Sequence, residues 1–250
     1  MTPDEQLALL AVECDRLASV SPNDAETPVP TMPDWTIEKL VRHVSFVHRM
    51  ALAALSVPAA DGMSNVLAAV EKPRRGPQFL DDYRASADEM LSAYDVVDRS
   101  APVSTWEGPG SADYWIRRQL HEVTVHRFDA QNAVHAAGGA QPDAADATGA
   151  ADGIGEWAEN FLTRFPLDEV PGLAGRTMHL HTDDGTNAEF FLDFRGDRVV
   201  VTREHRKGDV AVRGSSADLL LAVWRRRPLD VLDIVGDEAV AHALYEGVRI

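Results

Sequence analysis

Cysteine is almost missing from this sequence: Cys14 stands alone, so no disulfide can form within the chain. It falls on the apolar side of a first amphipathic segment with Leu7, Leu10, Ala11 and Leu17, which reads as a buried, unreactive thiol. Positive charge is scarce as well. Twenty-four Lys and Arg face forty Asp and Glu, a formal net charge of −16 that opposes docking on phosphate backbones or anionic lipid. Nucleic acid and membranes are therefore not expected as partners. No stretch approaches the roughly 18 apolar residues of a membrane span. The start, Thr2-Pro3-Asp4-Glu5, lacks the basic region and apolar core of a secretory leader, so the cytoplasm is the expected compartment.

What the chain does have is helical periodicity. With 250 residues it exceeds a typical single domain, and two domains are expected. Over the first two-thirds, apolar residues recur at three- and four-residue steps between Pro and Gly breaks. Five helices are predicted at about 3 to 20, 36 to 56, 79 to 99, 111 to 137 and 143 to 165, with room for a short extra helix between Pro58 and Pro77. Pro166-Leu167-Asp168-Glu169-Val170-Pro171-Gly172 cannot continue a helix. It sets the expected boundary between a helical domain, 1–166, and a small α+β domain, 173–250.

Beyond it the period changes to two. Met178 to Thr182, Ala188 to Phe194 and Val199 to Arg203 read as strands joined at Asp184-Gly185 and Arg195-Gly196-Asp197. A short strand at Val210 to Val212 follows. Ser215 then caps a helix with Asp218 in its first turn, and Val231 to Val235 and Glu238 to Val248 supply a last strand and helix.

Chemistry concentrates on two helices. The second starts at Thr36, with Glu38 in its first turn and Trp35 placed to staple onto Leu40. Ile37, Leu40, Val44, Val47, Ala51 and Leu55 define its core face, with His43 on one edge and His48 on the other. The two histidines stand about 140° apart and cannot serve one ion. A lone histidine beside an apolar face is more often a satisfied boundary residue than a ligand. On the fourth helix, however, Arg118, Glu122, His126 and Asp129 share one stripe. Two imidazoles and a carboxylate form the ligand set of many catalytic zinc sites and leave a coordination position open. Asp129 is placed to accept the other ring N–H of His126, although an Arg118 to Glu122 ion pair also explains part of the stripe. His121 points about 100° away from Glu122 and reads as structural.

Two passages carry a resemblance: Pro33-Asp34-Trp35-Thr36 leading through Leu40 to His43, and Arg117-Arg118-Gln119-Leu120-His121-Glu122-Val123-Thr124-Val125-His126-Arg127-Phe128-Asp129. Together they resemble the mycothiol-dependent maleylpyruvate isomerase family. The resemblance implies a DinB-like up-and-down helical bundle whose divalent metal, zinc in first place, is held by His43, Glu122 and His126. It also implies a C-terminal domain similar to sterol carrier proteins. The passages matching that domain are Gly214-Ser215-Ser216-Ala217-Asp218-Leu219-Leu220-Leu221-Ala222-Val223-Trp224-Arg225-Arg226 and Gly236-Asp237-Glu238-Ala239. Where the family has Gly before its arginine, this sequence has Arg225. Arg226 is then either an anion contact or, with Arg225 and Arg227, part of a basic end complementing the helix C-terminus.

The function implied is that of a metal-dependent isomerase or thiol transferase. Mycothiol, a low-molecular-weight thiol, would be the cofactor, and a small electrophilic compound, carboxylates included, the substrate. Asp129 would orient His126, and Arg226 would hold a substrate carboxylate. Two readings from other classes stand beside it: a ligand-binding or regulatory module in which the metal only holds helices together, and a thiol-independent metal hydrolase.

Overall fold

Thr2 opens the first helix with a reciprocal cap: its hydroxyl accepts from the Glu5 N–H while the Glu5 carboxylate accepts from its own N–H. The computed structural model describes residues 1–249 and divides into two units, Met1–Asp143 and Ala144–Ile250. In the first unit, α1 (Pro3–Ala18), α2 (Ile37–Ser56), α4 (Phe79–Val96) and α5 (Ala112–Ala136) are the long helices, and α3 (Gly62–Ala69) is the short helix allowed for between Pro58 and Pro77. Helix α1 packs on α5 and α4, and α2 packs on α4 and α5. Leu10, Leu17, Leu40, Val44, Tyr83, Trp115 and Leu120 fill the space they enclose. A buried ion pair ties α5 to α1, the Arg127 Nε donating to Glu13 Oε2 at 2.8 Å.

A two-stranded hairpin, β1 (Pro102–Thr105) and β2 (Gly108–Ser111), precedes α5 and lies outside the sequence expectation. Its second strand, Gly-Pro-Gly-Ser, has almost no strand propensity. It is held instead from outside: the Trp115 indole N–H donates to the Ser104 carbonyl at 2.9 Å, and the Ser104 hydroxyl to that of Ala59 at 3.1 Å.

The second unit begins earlier than the boundary expected at 166. Helix α6 (Ala147–Glu156) and the wider turn that follows, Trp157–Phe161, place Ala150, Ile154, Trp157 and Ala158 in the second unit's core. Periodicity shows that such a segment has an apolar face but not which core receives it. The sheet runs β5-β4-β3-β6-β7, built from β3 (Thr177–Thr182), β4 (Glu189–Asp193), β5 (Val200–Thr202), β6 (Val210–Gly214) and β7 (Asp233–Gly236). Among the described residues only β3 and β6 pair in parallel. Met178, Leu180, Phe190, Leu192, Val210 and Val212 turn one sheet face toward α6, α7 (Ser216–Val223) and α8 (Glu238–Gly247). The result is a small α+β unit with a mixed sheet. Among the described residues no single helix is long and apolar enough to cross a membrane.

Candidate metal centre

The loop before α2 turns back on itself. Asp34 adopts a left-handed conformation, φ 65°, which its short polar side chain tolerates, and the Val29 N–H donates to the Trp35 carbonyl at 2.9 Å. This turn delivers Thr36 as the cap of α2, its hydroxyl accepting from the Lys39 N–H, and sets Trp35 against His43. The Trp35 and His43 rings meet edge-on at 5.2 Å between centroids, and Lys39 Nζ lies 5.0 Å from the Trp35 ring. The His43 imidazole is thereby bracketed, since its other side meets the His126 ring edge-on at 5.1 Å.

On α5, the four-residue spacing of Arg118, Glu122 and His126 brings all three to one side of the helix. His43 Nε2 lies 2.9 Å and His126 Nε2 3.3 Å from Glu122 Oε1. Arg118 pairs with the other oxygen, Oε2. One donor atom from each of His43, Glu122 and His126 falls within 4.8 Å of the other two. A tetrahedral ion with bonds of about 2.0–2.1 Å sets its ligands about 3.3 Å apart, so the two imidazoles and the carboxylate fit a divalent cation in kind and in spacing. The structure thus brings together the three residues expected to act as ligands.

His126 is positioned from behind. Its Nδ1 donates to Asp129 Oδ2 at 3.0 Å, which holds the ring with Nε2 facing Glu122. Asp129 is fully buried, and its second oxygen accepts from the Thr31 hydroxyl at 2.5 Å. Thr31 is the one participant that sequence reasoning missed. It lies 98 residues from Asp129 in a non-repetitive loop, where no periodic signal points to it.

The charges are strongly coupled. Burial disfavours the Glu122 carboxylate, but His126 and Arg118 outweigh it and hold the carboxyl well below the usual range. Burial likewise opposes charge on His126, yet the Glu122 carboxylate and then Asp129 push its imidazole up to about 9. Other candidates stand apart. His48 is fully buried against Tyr83, and burial drives it down to about 3. His121 is buried too and does not join the cluster. The Cys14 thiol is buried and, mainly for that reason, pushed up to about 12, so it offers no thiolate near neutrality. In the second unit, Arg226 donates from Nη1 to the Trp224 carbonyl at 2.8 Å, and Arg227 pairs with Asp218.

The chain thus joins a helical unit bearing a two-histidine, one-glutamate donor set to a mixed-sheet α+β unit. The chain belongs to the mycothiol maleylpyruvate isomerase family. The family's N-terminal domain, described as "Mycothiol maleylpyruvate isomerase N-terminal domain", matches residues 7–131, and its C-terminal domain, "MDMPI C-terminal domain", matches 148–243. Crystal structures of the mycothiol-dependent maleylpyruvate isomerase and of a histidine-to-alanine variant of it match with a TM-score of 0.59 and 16% identity. Each covers 94% of this chain and 93% of its own. At that identity the likeness concerns the fold alone. A shorter match, to a UbiJ-SCP2 ubiquinone synthesis protein, covers 38% of this chain and 90% of that one at 21% identity and a TM-score of 0.29. A search of curated proteins returns no match.

Proposed function

We propose that this protein is a metal-dependent, mycothiol-dependent isomerase or thiol transferase acting on a small electrophilic substrate. The observation that carries the reading is the convergence of His43 Nε2, Glu122 Oε1 and His126 Nε2, in a member of this family, as three donors that leave a divalent ion a vacant position. Zinc is the expected metal, and nickel accepts the same ligands. A cation at this point supplies the positive charge that keeps a bound thiol ionised at neutral pH, and so makes the sulfur of mycothiol a nucleophile.

The chain's own residues have separable tasks. His43, Glu122 and His126 hold the ion. Asp129 fixes the tautomer and ring orientation of His126, Thr31 fixes Asp129, and Arg118 restrains the Glu122 oxygen that faces away from the imidazoles. Arg226 is the proposed contact for a substrate carboxylate. Its bond to the Trp224 carbonyl occupies Nη1 and supports the competing role of helix-end complement. Arg226→Ala separates the two: loss of an anion contact raises KM for a carboxylate substrate, whereas loss of a helix-end bond lowers stability alone. Family membership does not fix the substrate, and maleylpyruvate is the first compound to assay.

The test is metal analysis of the purified protein beside His43→Ala and His126→Ala, with mycothiol binding followed by calorimetry and turnover measured with and without the thiol. Wild-type protein is expected to hold metal at this centre and to need mycothiol for turnover, and both variants are expected to lose that metal. Retention of this metal by both variants rejects the assigned ligands. Hydrolysis that needs no thiol favours the hydrolase reading instead, and stoichiometric metal with no thiol binding and no turnover favours a structural ion.

A further inference from the structure

The proposed reaction leaves four metal-competent side chains of the second unit unused. His179 and His181 are two residues apart on β3, so both leave the sheet on the same face. That face is opposite the one on which Met178 and Leu180 enter the core. Glu189 on β4 stands directly across from His181 in the antiparallel register. His205 reaches the same point from the segment after β5, where Arg206 lies over the Phe191 ring at 4.6 Å.

The four side chains converge on one small volume. Glu189 Oε1 is 2.7 Å from His181 Nδ1 and 3.0 Å from His205 Nδ1, and Glu189 Oε2 contacts His179 Nε2. The three imidazole rings meet edge-on in pairs, with centroids 5.0, 5.6 and 5.7 Å apart. One donor atom from each of the four residues lies within 4.8 Å of all the others. His181 Nδ1 is buried and, despite its 2.7 Å approach to the carboxylate, is not aligned for a hydrogen bond with any partner. The burial is graded: His179 is only 4% exposed, while the His205 side chain is 72% exposed.

We propose that His179, His181, Glu189 and His205 form a second divalent-metal site, a closed four-ligand zinc site that fastens the loop after β5 to the outer face of the C-terminal sheet. Three imidazoles and one carboxylate satisfy a tetrahedral ion with protein atoms alone, the arrangement of structural sites. Such a site needs neither the thiol nor the substrate, and it stands whether or not the α2–α5 centre is catalytic. Its role is to order residues 203–209, a segment without regular hydrogen bonding of its own that ends at the start of β6.

Full-length protein stripped with a chelator, reloaded with ZnCl2 and dialysed against metal-free buffer tests the proposal. Wild type and the surface control His242→Ala should each retain two equivalents of zinc. His205→Ala should retain one, held at the helical centre. His126→Ala should also retain one, held at the sheet, and the double variant none. Glu189→Gln should repeat the loss seen for His205→Ala. Hydrogen exchange gives a second readout: zinc should protect the amides of 203–209 in wild type and in His126→Ala, and not in His205→Ala. The proposal is overturned if His205→Ala and Glu189→Gln retain as much zinc as wild type, which makes any second equivalent adventitious, or if zinc leaves the exchange of 203–209 unchanged in wild type.

Discussion

Asp129 shows how much of the candidate centre lies behind its ligands. It is fully buried and accepts both the His126 ring N–H and the Thr31 hydroxyl. Asp129→Asn is therefore expected to weaken zinc binding by roughly 10–100-fold, read by chelator competition, with Thr31→Val having a smaller effect in the same direction. His48 acts on stability instead. Burial holds its folded-state imidazole at about 3, below the ordinary 6.5, so between those values the unfolded chain binds the extra proton. Stability is then fully present above about pH 6.5 and falls as the pH drops toward 3, by up to about 1.4 kcal/mol per unit. Urea unfolding at about pH 5 and about pH 7 should show that loss in wild type and a smaller one in His48→Phe. Much at this scale was legible in the sequence. Helical angle alone separated His43 from His48 and aligned Glu122, His126 and Asp129, because those relations lie within single helices. Thr31 was not legible, since its tie to Asp129 exists only after folding. The strand that carries His179 and His181 was legible, but their grouping with Glu189 and His205 was not, since it arises only through sheet register and a loop.

Among elements, the end of α7 explains an unusual residue. The Arg226 N–H bonds the Leu221 carbonyl at 2.6 Å and the Arg225 N–H bonds that of Ala222 at 2.8 Å, the paired bonds that close a helix through a left-handed residue. Arg225 is that residue, with φ 59°. Glycine takes this conformation without steric cost, and it is the residue that the resembling family motif carries there. Arg225→Gly is expected to stabilise the protein by about 0.5–1 kcal/mol, measured by chemical denaturation, without altering zinc content. The sequence showed the departure from the motif, and the backbone supplies its reason. The elements that the sequence indicated well were those with strong period or clear caps, α1, α2, α5, β3 and α7. The hairpin of β1 and β2 escaped because its stability comes from Trp115 and Ala59, outside its own residues.

For the whole molecule, the division at Asp143 and Ala144 decides which pieces of the chain are self-sufficient. A fragment of residues 1–143 contains all of the first unit's core and every residue of the helical centre, and it is expected to fold cooperatively and bind zinc. Extending it to 166 adds Ala150, Ile154 and Trp157, which belong to the other core, and should make it aggregate. Size-exclusion chromatography and thermal unfolding of the two fragments check this. Sequence periodicity favoured the longer piece, because an apolar helical stripe names no partner. One arrangement also limits how this protein can change length over evolutionary time. Arg118, Glu122, His126 and Asp129 keep their common side only while the count of residues between them is fixed. A single codon inserted between Glu122 and His126 swings the imidazole by about 100° and empties the centre, whereas the turn after α5 can absorb the same codon at little cost.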